Sequence, residues 1–199
     1  MEHITLSAVI SIIVGLGNPG PQYDRTRHNA GFWFIDAVAQ AHDGQWQADA
    51  KFHGDIARVR LNGQDIRLLK PTTFMNRSGQ AVAALTRFYK IPPEQILVVH
   101  DELDLTAGVA RLKNGGGHGG HNGLRDIIAQ TGSNAFMRLR IGIGRPEPGK
   151  SETISYVLGR ASAEQQQAID TAIDDATAVL PQVVNGEFER AMNALHSRK

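Results

Sequence analysis

Polar side chains able to do chemistry recur where apolar runs give way to loops: Asn18, then His28 and Asn29, Asn76, Asp101, and His121 with Asn122. A histidine paired with a buried aspartate can activate water as a general base. The aspartate fixes the imidazole tautomer and stabilises the imidazolium that forms. Asparagine amides are neutral donors suited to a developing oxyanion. The chain has no cysteine and no G-x-S-x-G elbow, so no covalent nucleophile is signalled. Such machinery suits an activated ester better than an amide. Taken singly, each residue has a plainer explanation: Asn18 in a turn, Asn76 and Asn122 at helix starts, His28 beside a helix N-terminus. Only the set points to hydrolysis.

Three other motifs carry less. Gly15-Leu16-Gly17-Asn18-Pro19-Gly20 matches the dinucleotide fingerprint, yet Pro19, Gly20 and Pro21 hold open the place where a helix should begin. Gly144 to Ser151 matches the P-loop pattern letter for letter. Pro146 and Pro148 lack the N–H groups such a loop turns on phosphate, and the residues after Ser151 start a helix poorly, so a surface turn is expected. His118-x-x-His121 is half a metal site with no evident third ligand, and no metal is expected.

The elements that must position these residues can be read from periodicity. Val9 to Val14 is a β-branched run that stops at Gly15, a buried central strand. A helix is predicted over about 29–41, with Phe32, Ile35, Val38 and Ala39 on one stripe. Ala57, Val59 and Leu61 alternate, Asn62-Gly63 turns, and Ile66 and Leu68 return as a hairpin. A helix follows from Ser78 and stops near Pro92-Pro93; the strand Ile96 to Val99 then ends at His100-Asp101-Glu102. Val109 to Lys113 and Met137 to Ile143 read as strands, Asn122 to Gln130 as a helix. Residues 163–196 read as helical with a break near Pro181. With no repeat and no linker, these elements predict one α/β domain over residues 1–199, with residues 1–8 a short N-terminal extension. Its sheet should be mixed, mostly parallel and twisted, surrounded by helices.

Composition narrows the class. At 199 residues with 41% hydrophobic side chains, the chain can fill one core and is neither disordered nor disulfide-stapled. Residues 8–14 are too short an apolar run to span a bilayer, and Glu2 with no basic residue ahead of it suits no signal peptide; a cytoplasmic protein is expected. The net charge of +1 hides an uneven distribution. Arg111, Lys113, Arg125, Arg138, Arg140 and Arg145 lie in one stretch opposed only by Asp126, whereas the chain after Ala161 turns acidic. One face could therefore take a polyanion, although scattered surface arginines would look the same.

Several of these segments, in order, resemble the bacterial-type peptidyl-tRNA hydrolases. They are Gly15 to Gly20, Tyr23, Thr26-Arg27-His28-Asn29-Ala30-Gly31, Lys70-Pro71-Thr72-Thr73-Phe74-Met75-Asn76, His100 to Asp104, the glycine run Gly115 to Gly123, and Arg138 to Gly144. The resemblance implies a monomeric enzyme, independent of metal and nucleotide cofactor. It would hydrolyse the ester joining a peptide's C-terminus to the 3′ ribose of tRNA, and so recycle the tRNA. By that resemblance His28 is the catalytic histidine and Asp101 the aspartate oriented against it. Asn18, Asn76 and Asn122 are site asparagines, His121 supports substrate binding, Tyr23 and Phe74 line the cleft, and Lys113 and Arg140 hold the tRNA backbone. Asn114 departs from the apolar residue common before the glycines. A different class stays open: a non-catalytic RNA-binding relative of the same fold, which need not keep His28, Asp101 and the three asparagines.

Overall fold

A computed structural model describes residues 8–198; residues 1–7 of the expected N-terminal extension lie outside the described residues. The chain runs through β1 (Ile12–Gly15), α1 (Ala30–Ala41), β2 (Gln47–Asp49), β3 (Gly54–Leu61), β4 (Gln64–Pro71), α2 (Ser78–Tyr89) and β5 (Ile96–Glu102). It continues through β6 (Ala110–Asn114), α3 (Asn122–Thr131), β7 (Met137–Gly142), α4 (Thr153–Val157), α5 (Ala163–Val184) and α6 (Phe188–His196). The seven strands form one mixed sheet in the order β2-β3-β4-β1-β5-β7-β6. Its centre is parallel, as β1 pairs with β4 and β5, and β5 with β7. Both flanks are antiparallel.

The expected strand at β1 is shorter than the apolar run that announced it. Val9 is exposed, and Ile10 instead donates its N–H to the Val184 carbonyl at 3.1 Å. The hairpin is longer than its alternation, and its turn has positive φ at both Asn62 (52°) and Gly63 (78°), the twist that suits a two-residue loop. Helices cover both faces. Phe34, Ile35 and Val38 of α1 pack with α5 and α6 on one side; Val82 and Leu85 of α2 and Leu124 and Ile127 of α3 cover Val14 and Val98 on the other. Each such fully buried side chain stabilises the fold by about 1.5–3 kcal/mol.

Two expectations about helices need correction. Pro181 does not break the C-terminal helix: α5 runs through it to Val184, and the break falls at Gly186, where φ is 82°. The ring costs about 3 kcal/mol in a helix interior. Ile173, Val179, Leu180, Val183 and Val184 are all buried along this helix and outweigh it. After Ser151 the chain does form a helix, the five-residue α4, held by tertiary contacts rather than propensity. The segment before it is the surface turn expected, with Gly144 and Gly149 at φ 73° and 80° and an ion pair between Lys150 and Glu147. β2 is a three-residue edge strand of Gln, Ala and Asp with no legible pattern.

Strand order reverses at β1, because the chain builds β2 to β4 on one side before β5 on the other. The crevice at the carboxyl ends of strands flanking such a switch point is where open α/β sheets bind ligands. The loops after β1, β4 and β5 all open there.

Candidate active site

The loop after β1 and the turn before α1 are built as one unit. The Asn18 N–H donates to Asn29 Oδ1 at 2.8 Å, and Asn29 Nδ2 returns a hydrogen bond to the Asn18 carbonyl at 3.0 Å. Asn18 Oδ1 accepts from the Met75 N–H at 2.7 Å, tying in the loop after β4. Asn18 is 93% buried by residue area, and its Nδ2 has no acceptor among the described residues. The oxygen is spent on the fold and the donor is left free. The two segments approach closely because Gly31 has no side chain: a Cβ there would lie 2.5 Å from the Leu16 nitrogen.

This unit carries His28 to the end of β5. His28 Nδ1 lies 3.0 and 2.9 Å from Asp101 Oδ1 and Oδ2, and His121 Nε2 lies 2.8 Å from Oδ1. Asp101 is 3% exposed. Burial pushes its carboxyl up, but the facing His28 and His121 more than reverse this and hold it well below the ordinary carboxylate range. For His28, burial pulls the pKa down; the charge and hydrogen bond of Asp101 overcome that and leave it raised above 6.5.

The two histidines are not equivalent. His121 precedes α3 and caps it, its Nδ1 accepting from the N–H groups of Gly123 (3.1 Å) and Leu124 (3.3 Å). A nitrogen that accepts two N–H bonds carries no proton, so His121 presents Nε2–H to Asp101. A third ring, His100, donates Nδ1–H to the Asp101 carbonyl at 2.8 Å, and its buried Nε2 has no partner. Burial and the adjacent His121 lower its pKa to about 3, which keeps it neutral. With Nδ1–H on Asp101, the Nε2 of His28 is left to receive a proton.

His28, Asp101 and His121 also stand close enough to hold a metal ion, with donor atoms within 4.8 Å of one another. The tautomer opposes it. A metal on His121 Nε2 would drive its proton to Nδ1, against two backbone N–H groups. His118, discounted in the sequence as half a metal site with His121, stands outside this cluster: its Nδ1 accepts from the Gly120 N–H at 2.9 Å, within its own loop.

The other candidates stand outside this cluster. The ring of Tyr23 meets that of Phe74 edge-on at 6.3 Å, and Phe74 is 56% exposed. Asn76, in the turn before α2, is exposed. Asn122 opens α3 and is also exposed, its Oδ1 accepting from Arg125 at 3.1 Å. A hollow of about 330 Å³ lies beside Asn18, bounded by Asn29, Trp33, Lys70 and Thr72. Lys113 and Arg140 make no contact with the cluster; they stand on β6 and β7. There Arg111 faces Arg140 and Lys113 faces Arg138, so all four cations share one face of the sheet edge. Arg145 does not join them, being paired with Asp104.

Sequence reasoning missed three supports: Asn29 as the clamp on Asn18, His100 behind His121, and Arg27. Arg27 donates to the Tyr156 carbonyl (2.9 Å) and to Gln165 (3.1 Å), and stacks 3.9 Å from the Tyr156 ring. Adjacency to His28 and Asp101 was the available signal, but their partners lie in segments without any motif.

A family model described as peptidyl-tRNA hydrolase matches residues 12–199. A peptidyl-tRNA hydrolase of Pseudomonas paraeruginosa is 57% identical over 192 residues, covering 96% of this chain and 98% of its own. One from Methylococcus capsulatus is 58% identical over 188 residues, covering 94% and 100%. Among solved structures, the peptidyl-tRNA hydrolase of Acinetobacter baumannii superposes with a TM-score of 0.91 at 52% identity, covering 96% of each chain.

Proposed function

The chain belongs to the peptidyl-tRNA hydrolase family, and we propose that it hydrolyses the ester between a peptide's C-terminus and the tRNA 3′ ribose with His28 as general base. The observation that carries this is the tautomer lock: Asp101, already receiving Nε2–H from His121, takes Nδ1–H from His28 and leaves Nε2 as the ring's acceptor. A water bonded to Nε2 gives up its proton as its oxygen attacks the ester carbonyl. Asp101 stabilises the imidazolium. The amides of Asn18, Asn76 and Asn122 are donors for the tetrahedral oxyanion and for holding the water. The intermediate collapses by breaking the bond to the ribose oxygen, which recovers its proton from His28. A peptide carboxylate and a free tRNA 3′ hydroxyl leave.

The peptide end lies along Tyr23 and Phe74 toward the hollow beside Asn18, with His121 supporting the substrate. Lys113 and Arg140 hold the tRNA backbone electrostatically. We read the active unit as a monomer of one domain, working in the cytoplasm without a metal or a nucleotide cofactor. Among the described residues no helix is long and apolar enough to cross a membrane.

The test is release of peptide from purified peptidyl-tRNA by the full chain and by His28→Ala. Turnover should fall about 10²–10⁴-fold, the scale of a positioned general base, with tRNA affinity kept. Undiminished kcat in a folded variant would remove His28 from its role. A wild-type chain that binds tRNA and releases no peptide would favour a binding protein of the same fold.

A further inference from the structure

Arg138 is a buried cation without a counter-ion. It is 2% exposed, its Nε has no partner, and no carboxylate of the described residues lies within ion-pair distance of it. Its two terminal nitrogens donate to the carbonyls of Gly116 and Gly117, and its guanidinium carbon lies 4.5 Å from the centre of the Phe136 ring. A guanidinium in such a place costs desolvation that a carboxylate partner would normally offset.

What it holds is the backbone of the glycine run. In a trans peptide the carbonyl and the following N–H point opposite ways. With the Gly116 and Gly117 carbonyls turned inward to Arg138, the N–H groups of Gly117 and His118 must turn outward. Neither has an acceptor among the described residues. Glycine is required to fold the chain this way, since φ is 66° at Gly115 and 109° at Gly116. A Cβ on Gly116 would lie 2.9 Å from Lys113 Nζ, so the ammonium rests against the same loop. Two outward N–H groups, an ammonium beside them and, behind them, a guanidinium with no carboxylate of the described residues in ion-pair range make a place for an anion.

We propose that residues 116–118 form a phosphate seat, in which the Gly117 and His118 backbone N–H groups and Lys113 take one phosphodiester of the substrate's 3′ strand, with Arg138 as the positioning residue beneath. This rests on the peptidyl-tRNA reading and adds a contact to it. Gly117 is four residues from His121, so the seat lies within about 14 Å of the catalytic cluster. That spans about four stacked nucleotides at 3.4 Å each. The phosphate it takes is one of those nearest the ester.

The test compares two esters of one peptide, one on adenosine alone and one on a tetranucleotide that carries internal phosphates. Gly117→Pro deletes one N–H, and Arg138→Met frees both carbonyls. Each should lower the ratio of kcat/KM for the tetranucleotide ester over the adenosine ester about tenfold, the scale of one hydrogen bond to a charged group. Arg60→Ala, an exposed cation on β3 at the far flank of the sheet, is the control for charge. Equal losses on both esters, or a ratio no different from that of Arg60→Ala, would overturn the seat. In the unaltered chain, titration with the free tetranucleotide should shift the Gly117 and His118 amide resonances saturably, and unmoved amides would overturn it too. Failure of the wild type to cleave peptidyl-tRNA would overturn the underlying reading instead.

Discussion

Asp101→Asn exchanges one oxygen for an NH₂ group, and the surroundings decide which way that group must point. Asp101 Oδ1 receives His121 Nε2–H at 2.8 Å, and the tautomer of His121 is fixed by the N–H groups of Gly123 and Leu124. The amide oxygen of the variant therefore stays on His121, and its NH₂ group falls 2.9 Å from His28 Nδ1, where Oδ2 was. With a donor there, His28 Nδ1–H would keep only the oxygen already shared with His121, at 3.0 Å, so the variant favours an accepting Nδ1 and shifts the ring's proton to Nε2, the atom that should take one from water. Turning the amide over would leave the His121 N–H facing another donor, a buried mismatch worth about 1–3 kcal/mol. That biases the wrong orientation about 5- to 150-fold. The single variant should lose about 10²–10⁴ in kcat. Adding His121→Ala removes the group that dictates the orientation, so the double variant should turn over faster than Asp101→Asn alone, by up to that same factor. Single-turnover rates at saturating peptidyl-tRNA read this directly, because any role of His121 in binding drops out. A double variant no faster than the single one would refute the tautomer lock.

Other consequences can be checked independently. Because Asp101 holds the His28 pKa above 6.5, kcat/KM should rise with pH through a value above 6.5. Stability should move the other way: the contribution of His28 is complete below 6.5 and is lost as pH rises through the raised value, so paired pH profiles of rate and thermal midpoint should cross and His28→Ala should flatten the second. Activity should survive chelation, and a requirement for added Zn²⁺ would contradict the proton placed on His121 Nε2. Lys113→Ala or Arg140→Ala should raise KM for peptidyl-tRNA and flatten the dependence of log K on log salt by about one unit each, with kcat little changed. Asn29→Ala should lower kcat more than it raises KM, since it frees the Asn18 backbone behind a free amide donor; a pure stability loss with normal kcat would return Asn29 to a packing role.

Much of this site was legible because loops after buried strands have few places to go. The run ending at Gly15 and the run ending at Asp101 read as buried strands of a mostly parallel sheet; the fold sets them side by side, which brings Asn18, His28 and Asp101 to one crevice. The hairpin was legible from Asn62-Gly63 and its alternation. Pro181 misled because a proline's local cost is visible in sequence while the burial of Leu180 and Val183 is not. α4 and β2 escaped because contacts with other segments create them. His118 and His121 looked alike in a glycine-rich loop; what separates them is one N-cap geometry, and no spacing encodes that. Arg138 read as one more surface cation, and only the fold shows it buried beneath the glycines.

Arg27 ties the earliest-made part of the site to some of the last. The turn bearing His28 is held by hydrogen bonds to Tyr156 and Gln165, which lie 129 and 138 positions further along the chain. During synthesis, His28 leaves the ribosome long before its anchors exist. A nascent chain that ends near Gly144 already contains His28, Asp101, His121 and all three asparagines, and still lacks the clamp that seats the base. Catalytic competence should therefore appear late and abruptly as the chain lengthens, well after the central strands can pair, so a stalled or clipped product would carry the residues of the enzyme without its activity.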